Sequence, residues 1–468
     1  MLTKSRSSAV DQRITDLIPV TVKEIQEFIR LPQSGEGMQS QSAEQVARYL
    51  REVGATAVQV YPTAGNPIVY GRLDAGAKET VIAYLMYDAA VVFDAPEWVA
   101  PPFDANIVNL PVGRSIVARG SMARRGPLLA FLRAIQAIKN AGEKLPVNFI
   151  FVAEGDENTG SPYLGPFYEA HKDLFAGASA TLFPAATQEK GGDVSIKLGA
   201  KGMIGLELIC DGAAWGRGPA KADLHWGDSA WVDSPMWRLL HALSTLASPD
   251  GTRVLIDNFY ENVVPPNQLE REMARALTYS AEKTKQSLGI SHFAEDVDGE
   301  EALLRNMYEP AIVLQGEWGS IPPVKRLYRK AISRLDFRLI RNQTPDEAEA
   351  KVKAHLAKRG YSDIEVKRLY SVPSSYVAPN EPLIRAALAT YRAFGIEPEL
   401  WPSQPKTPPT AVFERPHVMV GVGHGGNHAV KDEYLLLEDS GKLFGLGSLM
   451  RSFVTLFEEI ALASEDKS

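Results

Sequence analysis

Apolar positions recur at helical spacing over 11–30 (Ile14, Leu17, Ile18, Val22, Ile25, Phe28, Ile29), which predicts a helix with one buried face. "SAEQVARYLREVG" predicts a second helix, with Gly54 placed to end it. The pattern then shortens. "ATAVQVY", "NPIVYGRL" and "TVIAYLMY" are short runs rich in β-branched and aromatic residues and predict strands. "GPLLAFLRAIQAIKNAG" returns to helical spacing. "LPVNFIFVAEG" is a buried strand running into an acidic turn, "PYLGPFYEAHKDLF" a helix and "ASATLF" a strand. Such alternation predicts a three-layer α/β domain.

The texture changes near Lys197. "KGMIGLELICDG" is a long alternating strand, with the length and pattern for pairing at a sheet edge. "SPMWRLLHALSTLA" is a helix, and about 250–310 is polar and irregular. "YRKAISRLDFRLIRNQ" and "IEVKRLYSV" are strands, separated by the helix "TPDEAEAKVKAHLAKRG" with Thr344 at its N-cap. This predicts an inserted α+β domain over 199–378. Residues 1–198 and 379–468 form the two parts of the α/β domain. The last part holds the helix "EPLIRAALATYRAFG", the strand "HVMVGVG" and a long helix within "GKLFGLGSLMRSFVTLFEEIAL".

Composition narrows the class. A net charge of -7 gives no reason to expect nucleic acid or an anionic membrane as partner. One cysteine, Cys210, excludes an internal disulfide and a cysteine-rich zinc site. The first residues lack the apolar core of a signal peptide, and no apolar run approaches the ~20 residues of a membrane span. The cytoplasm is the expected location.

The candidate chemistry begins at "AYLMYDAAVV", where Asp88 lies just past a buried strand and Met86 stands where a metal enzyme wants histidine. Other pieces follow in order: "GNPIVYGRL", "APPFDANI", "ARGSMARRGPLLAFLRAI", "EGDENTGSPYL", "ADLHWGD" and "GVGHGGNHAVKDEYLLLED". Together they resemble the aminoacylase/carnosinase family of dizinc peptidases over nearly the whole chain. The resemblance implies a zinc-exopeptidase-like catalytic domain. It also implies that the inserted domain serves as lid and dimerisation domain, so that a homodimer is expected.

That family binds two zinc ions through five side chains. The resemblance puts the first His on Met86, the bridging Asp on Ala123, the Glu on Asn158 and the second Asp near Ala185. Only the last His has candidates, His428 and the nearby His424. Thioether, methyl and amide cannot replace imidazole and carboxylate around zinc, so no metal and no other cofactor is expected. The resemblance also carries survivors. Asp88 matches the acid that orients the first His, and Glu157 matches the general base. His225 matches a histidine that reaches the partner subunit's site, and Arg338 an arginine near the substrate carboxylate. Ser234 before Pro235 replaces the Asn that contacts the oxyanion.

Arg124 is a gain, replacing an acid. Two zinc ions with three carboxylates leave about one positive charge by the ligand set of such sites, and Arg124 restores one. A guanidinium stabilises oxyanion charge but does not ionise water as a metal does. The leading expectation is a metal-independent enzyme that hydrolyses an amide, lactam or peptide-like bond of a small molecule. Glu157 is its base, Arg124 and His225 hold the oxyanion, and His428 assists proton transfer. Asp88, Arg338 and Tyr87 contact substrate. The alternatives are a non-catalytic, peptide-binding relative, and a cyclase, ligase or lyase that reuses the pocket. Each residue also has a plainer role: Glu157 a turn carboxylate, Arg124 a plug paired with the acids, His428 a loop cap, His225 a surface histidine, Tyr87 core packing. Trp226, Trp231 and Trp237 fit an interface or lid.

Overall fold

The computed structural model describes residues 7–31, 38–92, 95–315 and 325–465. The chain divides into two compact units. The first comprises 1–198, 377–401 and 412–468; the second comprises 199–376 and 402–411. Segment 402–411 thus goes with the second unit, which the expected boundaries did not separate.

The first unit is built on a six-stranded sheet. Its strand order is Thr56–Tyr61, Ile68–Leu73, Asn148–Glu154, Thr80–Met86, Ala180–Pro184, His417–Val420. The four strands from Asn148–Glu154 onward are parallel; the two before them pair antiparallel. Every residue of Thr80–Met86 and Asn148–Glu154 is buried. That requires cover on both faces, as parallel strands flanked by helices have. Helices Ser8–Arg30, Arg125–Asn140 and Leu446–Glu465 pack against one another, and Met38–Glu52 packs on the antiparallel side. The α/β expectation holds. In the stretch read as one helix at 162–175, helix Leu164–Ala170 ends at His171, whose backbone leaves the helical region, and a 3₁₀ turn follows.

A second, antiparallel sheet of this unit shapes the site. Strand Gly113–Val117 pairs with Asn106–Leu110 on one side and Tyr434–Leu436 on the other. Tyr434–Leu436 in turn pairs with Gly425–Gly426. The Val117↔Tyr434 pairing brings the turn after Val117 beside the loop before Tyr434, although they are far apart in sequence.

The second unit contains a four-stranded antiparallel sheet in the order Ala311–Gln315, Lys330–Leu339, Gly202–Asp211, Glu365–Val372. Its core is apolar and includes Ile204, Leu206, Leu208, Phe337, Val352 and Phe259. Two expectations are corrected here. Strand Gly202–Asp211 is central, with a neighbour on each side, so its backbone is spent within the sheet and cannot serve as a pairing edge. The edges are Ala311–Gln315 and Glu365–Val372. The stretch read as irregular contains helices Gln268–Arg275, Ala281–Leu288 and Gly299–Tyr308. Side chains of Asn267, Ser280 and Asp298 cap their N-termini. These helices are short and polar, so caps rather than apolar spacing announce them.

Candidate active site

Parallel strands Thr80–Met86 and Asn148–Glu154 deliver their carboxyl ends side by side, with Met86 opposite Glu154. Functional groups of open α/β sheets gather beyond such strand ends. Asp88 follows one strand, and Glu157 and Asn158 open the turn after the other. Glycine is required at two close approaches. A Cβ at Gly155 would lie 2.5 Å from the Tyr87 ring, and one at Gly126 would lie 2.1 Å from the Ser121 carbonyl oxygen. The second approach lets helix Arg125–Asn140 begin where it does, with Arg124 at its N-cap position.

Arg124 is the hub. Its Nε donates to Asp88 Oδ1 at 2.9 Å. Its Nη2 donates to Glu157 Oε2 at 2.6 Å and Asn158 Oδ1 at 2.7 Å. Its Nη1 lies 3.1 Å from His428 Nε2. Guanidinium has no acceptor, so His428 Nε2 accepts and this imidazole is the neutral tautomer with its proton on Nδ1. Asp88 is held again from the other side. Asn158 gives its backbone N–H at 2.9 Å and its Nδ2 at 2.7 Å to Asp88 Oδ2. Arg124 itself is only 2% exposed. Glu157, with its side chain 26% exposed, and the exposed Asn158 and His428 form the rim.

Burial pushes the Glu157 carboxyl above the usual range, helped by Asp88 and opposed by Arg124. Burial lowers the proton affinity of Arg124, but Asp88, Glu157 and Glu433 outweigh it, so the guanidinium stays charged. One guanidinium faces two carboxylates. The positive charge that Arg124 restores on paper is therefore matched locally, and at most one of its five N–H groups remains for an oxyanion.

Beneath the rim lies a third acid. Glu154 is buried, accepts from the Tyr84 hydroxyl at 2.5 Å and the Ser161 hydroxyl at 2.8 Å, and is pushed up to about 8 by burial. Tyr87 takes the plainer of its two expected roles: its hydroxyl donates to the Pro67 carbonyl and its ring is buried against Gly155, so it packs under the site. His424 is likewise buried, bonded to the Gln188 carbonyl and the Tyr434 hydroxyl, and is structural.

Arg119 and Glu433 were not singled out from the sequence, yet they lock the two loops together. Arg119 Nη1 donates to Glu433 Oε2 at 3.2 Å and to the Val430 carbonyl at 2.8 Å, and Met122 N–H donates to Glu433 Oε1 at 3.2 Å. The guanidinium also lies 4.9 Å over the Trp98 ring. The signal available was the arginine at the end of a buried strand, a position that needs an acid partner.

His225 and Arg338 belong to the second unit. His225 is exposed, and its Nδ1 accepts from Gly227 N–H at 3.2 Å. Arg338 is half-buried and donates to Thr407 Oγ1 at 3.2 Å. Trp226, Trp231 and Trp237 are all exposed.

The chain falls in a known class. The sequence pattern of Peptidase family M20/M25/M40 matches residues 87–446, and the chain belongs to that family. The Cys-Gly metallodipeptidase of Schizosaccharomyces pombe is 26% identical over 389 residues, 78% of each chain. The human Beta-Ala-His dipeptidase is 25% identical over 347 residues, covering 71% of this chain and 66% of that one. The crystal structure of an M20 family metallo-carboxypeptidase from Sulfolobus solfataricus matches with a TM-score of 0.79 at 26% identity, over 95% of this chain and 99% of that one. The resemblance drawn from the motifs holds at the level of family.

Two of these relatives, the Cys-Gly metallodipeptidase and the metallo-carboxypeptidase, are named as metal enzymes, and the donors here can be tested against zinc. Met86 offers a thioether, Ala123 and Ala185 methyl groups, and the Asn158 amide is engaged by Arg124 and Asp88. Among the described residues no three His, Cys, Asp or Glu side chains are grouped to hold a metal ion. The donor set does not fit a dizinc centre.

Proposed function

We propose that this chain is a peptidase-like hydrolase that cleaves an amide or peptide-like bond of a small molecule without zinc at those positions. One observation carries the reading. Glu157 keeps an open face while Arg124 holds it at 2.6 Å and burial raises its proton affinity. A carboxylate so placed is a stronger base than one in water, and its anionic form is aimed by a fixed cation. In the reaction, a water oxygen attacks the carbonyl carbon as Glu157 takes its proton. The proton then goes to the leaving nitrogen as the C–N bond breaks. His428, whose Nε2 lone pair Arg124 engages, assists proton transfer. A homodimer in the cytoplasm, in which one copy's His225 steadies the carbonyl oxygen at the other's site, is part of the proposal. Light scattering and a His225→Ala variant test it: a fully active monomer removes that role.

A specific observation favours a second reading. Arg124 pairs with both acids and is itself buried, as a plug in a non-catalytic, peptide-binding relative would be. One experiment separates the two. Purified protein is assayed for bound zinc, then for turnover of Cys-Gly, β-Ala-His, other dipeptides, N-acyl amino acids and lactams, with and without a chelator. The first reading expects far less than one zinc per chain and turnover that the chelator leaves unchanged. Two tightly held zinc ions per chain, or turnover that the chelator abolishes, overturns it. Saturable dipeptide binding with no turnover establishes the second.

A further inference from the structure

Four acceptors surround three nitrogens of the Arg124 guanidinium: Asp88 at Nε, His428 at Nη1, Glu157 and Asn158 at Nη2. That is a fork of acceptors matching the fork of donors. The fork does not depend wholly on Arg124 for its shape. Asp88 is fixed by two bonds from Asn158, and Asn427 Nδ2 bonds the Asp432 carbonyl within the loop that carries His428. The outer members, Glu157, Asn158 and His428, face solvent, so a small molecule has a way in once the arginine stem is gone.

We propose that Asp88, Glu157, Asn158 and His428 form a receptor for a planar guanidinium cation, whose resident occupant is the side chain of Arg124. The class of ligand is set by the acceptors. Two carboxylates select a cation, and four acceptors distributed over three nitrogens select N–H donors on three sides over a spherical ammonium. Removing the side chain beyond Cβ leaves two carboxylates without a cation and a void of the shape just vacated. A free guanidinium then replaces the tethered one. The inference is independent of catalysis, because binding is read without turnover.

The probe is ethylguanidinium chloride at millimolar concentration, far below denaturing levels. Its neutral isostere ethylurea and the ammonium salt ethylammonium chloride are the controls. Arg124→Ala is expected to bind one ethylguanidinium per chain by calorimetry and to melt several degrees higher at saturation, by mass action on the folded state. Wild type, already occupied, should show neither effect. Ethylurea should give nothing, and ethylammonium should bind at least about tenfold more weakly. Adding Glu157→Gln and Asp88→Asn to the variant should abolish binding. The proposal is overturned if Arg124→Ala binds no ethylguanidinium, if ethylurea or ethylammonium binds as well, or if the triple variant still binds. If Arg124→Ala alone does not fold, Arg124→Ala with Asp88→Asn carries the test, since it leaves one fewer uncompensated buried charge. That pair should still bind, more weakly, and no binding there overturns the inference equally.

Discussion

Arg119 and Arg124 lie five residues apart in one turn, are each 2% exposed, and do opposite things. Arg119 meets Glu433, whose side chain is fully buried, and the pair is sealed under the Trp98 ring. Arg124 meets Asp88 and Glu157, and through Glu157 it reaches a rim that water touches. The sealed pair holds no acid open to solvent, although Glu433 also adds to the field that keeps Arg124 charged. An open one also fixes the charge and direction of a group that a substrate can reach. On the proposed function, burial of the cation is therefore not what separates structure from function; the exposure of its acid partner is.

The sharpest way to break that comparison is to neutralise the open acid. Glu157→Gln keeps shape and hydrogen bonding but removes the basic oxygen. Turnover is expected to fall ~10²–10⁴-fold, with melting temperature nearly unchanged. Unchanged kcat in this variant ends the proposed mechanism. Arg124→Ala should follow at roughly 10²–10³ in kcat, and it should also lose stability because two acids are left without their cation. Arg124→Lys should recover only part, since a point charge cannot reach four acceptors. If Arg124 is solely a plug, turnover per folded molecule stays near wild type while the melting temperature drops.

The sealed pair predicts the reverse pattern. Arg119→Met leaves Glu433 buried and unpaired, which typically costs ~3–5 kcal/mol of stability. The kcat of the fraction that remains folded should hardly change. Arg119→Met with Glu433→Leu should regain most of the stability, because an apolar pair replaces two charges that no longer need desolvating. Denaturant melts and kcat per folded molecule check both statements. A kcat loss as large as that of Arg124→Ala would erase the distinction between the two arginines.

How much of this was legible follows from sequence distance. Elements that bury one face, such as Ser8–Arg30 and Pro382–Ala393, announce themselves by local spacing; Arg125–Asn140 was read from the same spacing, but it is buried nearly all round. The fully buried strands Thr80–Met86 and Asn148–Glu154 announce themselves by continuous apolar runs. Strand Gly202–Asp211 has the same alternation whether it lies at an edge or in the centre, because the answer depends on two partner strands far along the chain. Asp88, Arg124, Glu157 and His428 were each found by motif, but their convergence on one guanidinium was not. Those contacts span 36, 33 and 304 residues. Asn158 reads as a lost ligand in sequence. Only its two-sided bonding to Arg124 and Asp88 gives it a positive role.

A further expected effect reads pH rather than turnover and concerns the buried acid Glu154. Glu154 is pushed from the ordinary carboxyl value to about 8, chiefly by burial, with Asp88 and Glu157 adding to the rise and Tyr84 and Ser161 opposing it. The folded protein therefore holds this proton more tightly than the unfolded chain does. Its contribution to stability is complete below the ordinary value, near 4.5, and declines as pH rises towards 8. The slope in mid-window approaches about 1.4 kcal/mol per pH unit. Glu154→Gln keeps an acceptor for Tyr84 and Ser161 and has nothing to titrate. Buried His417, lowered to about 4, pulls the other way at the acid end, and it cancels when variant and wild type are compared. The difference in unfolding free energy, variant minus wild type, should grow steadily from pH 5 to 8 and then level off. A difference that is flat across that window would mean that Glu154 is ionised in the folded state. The closed part of the site would then carry a further negative charge beside Asp88 and Glu157.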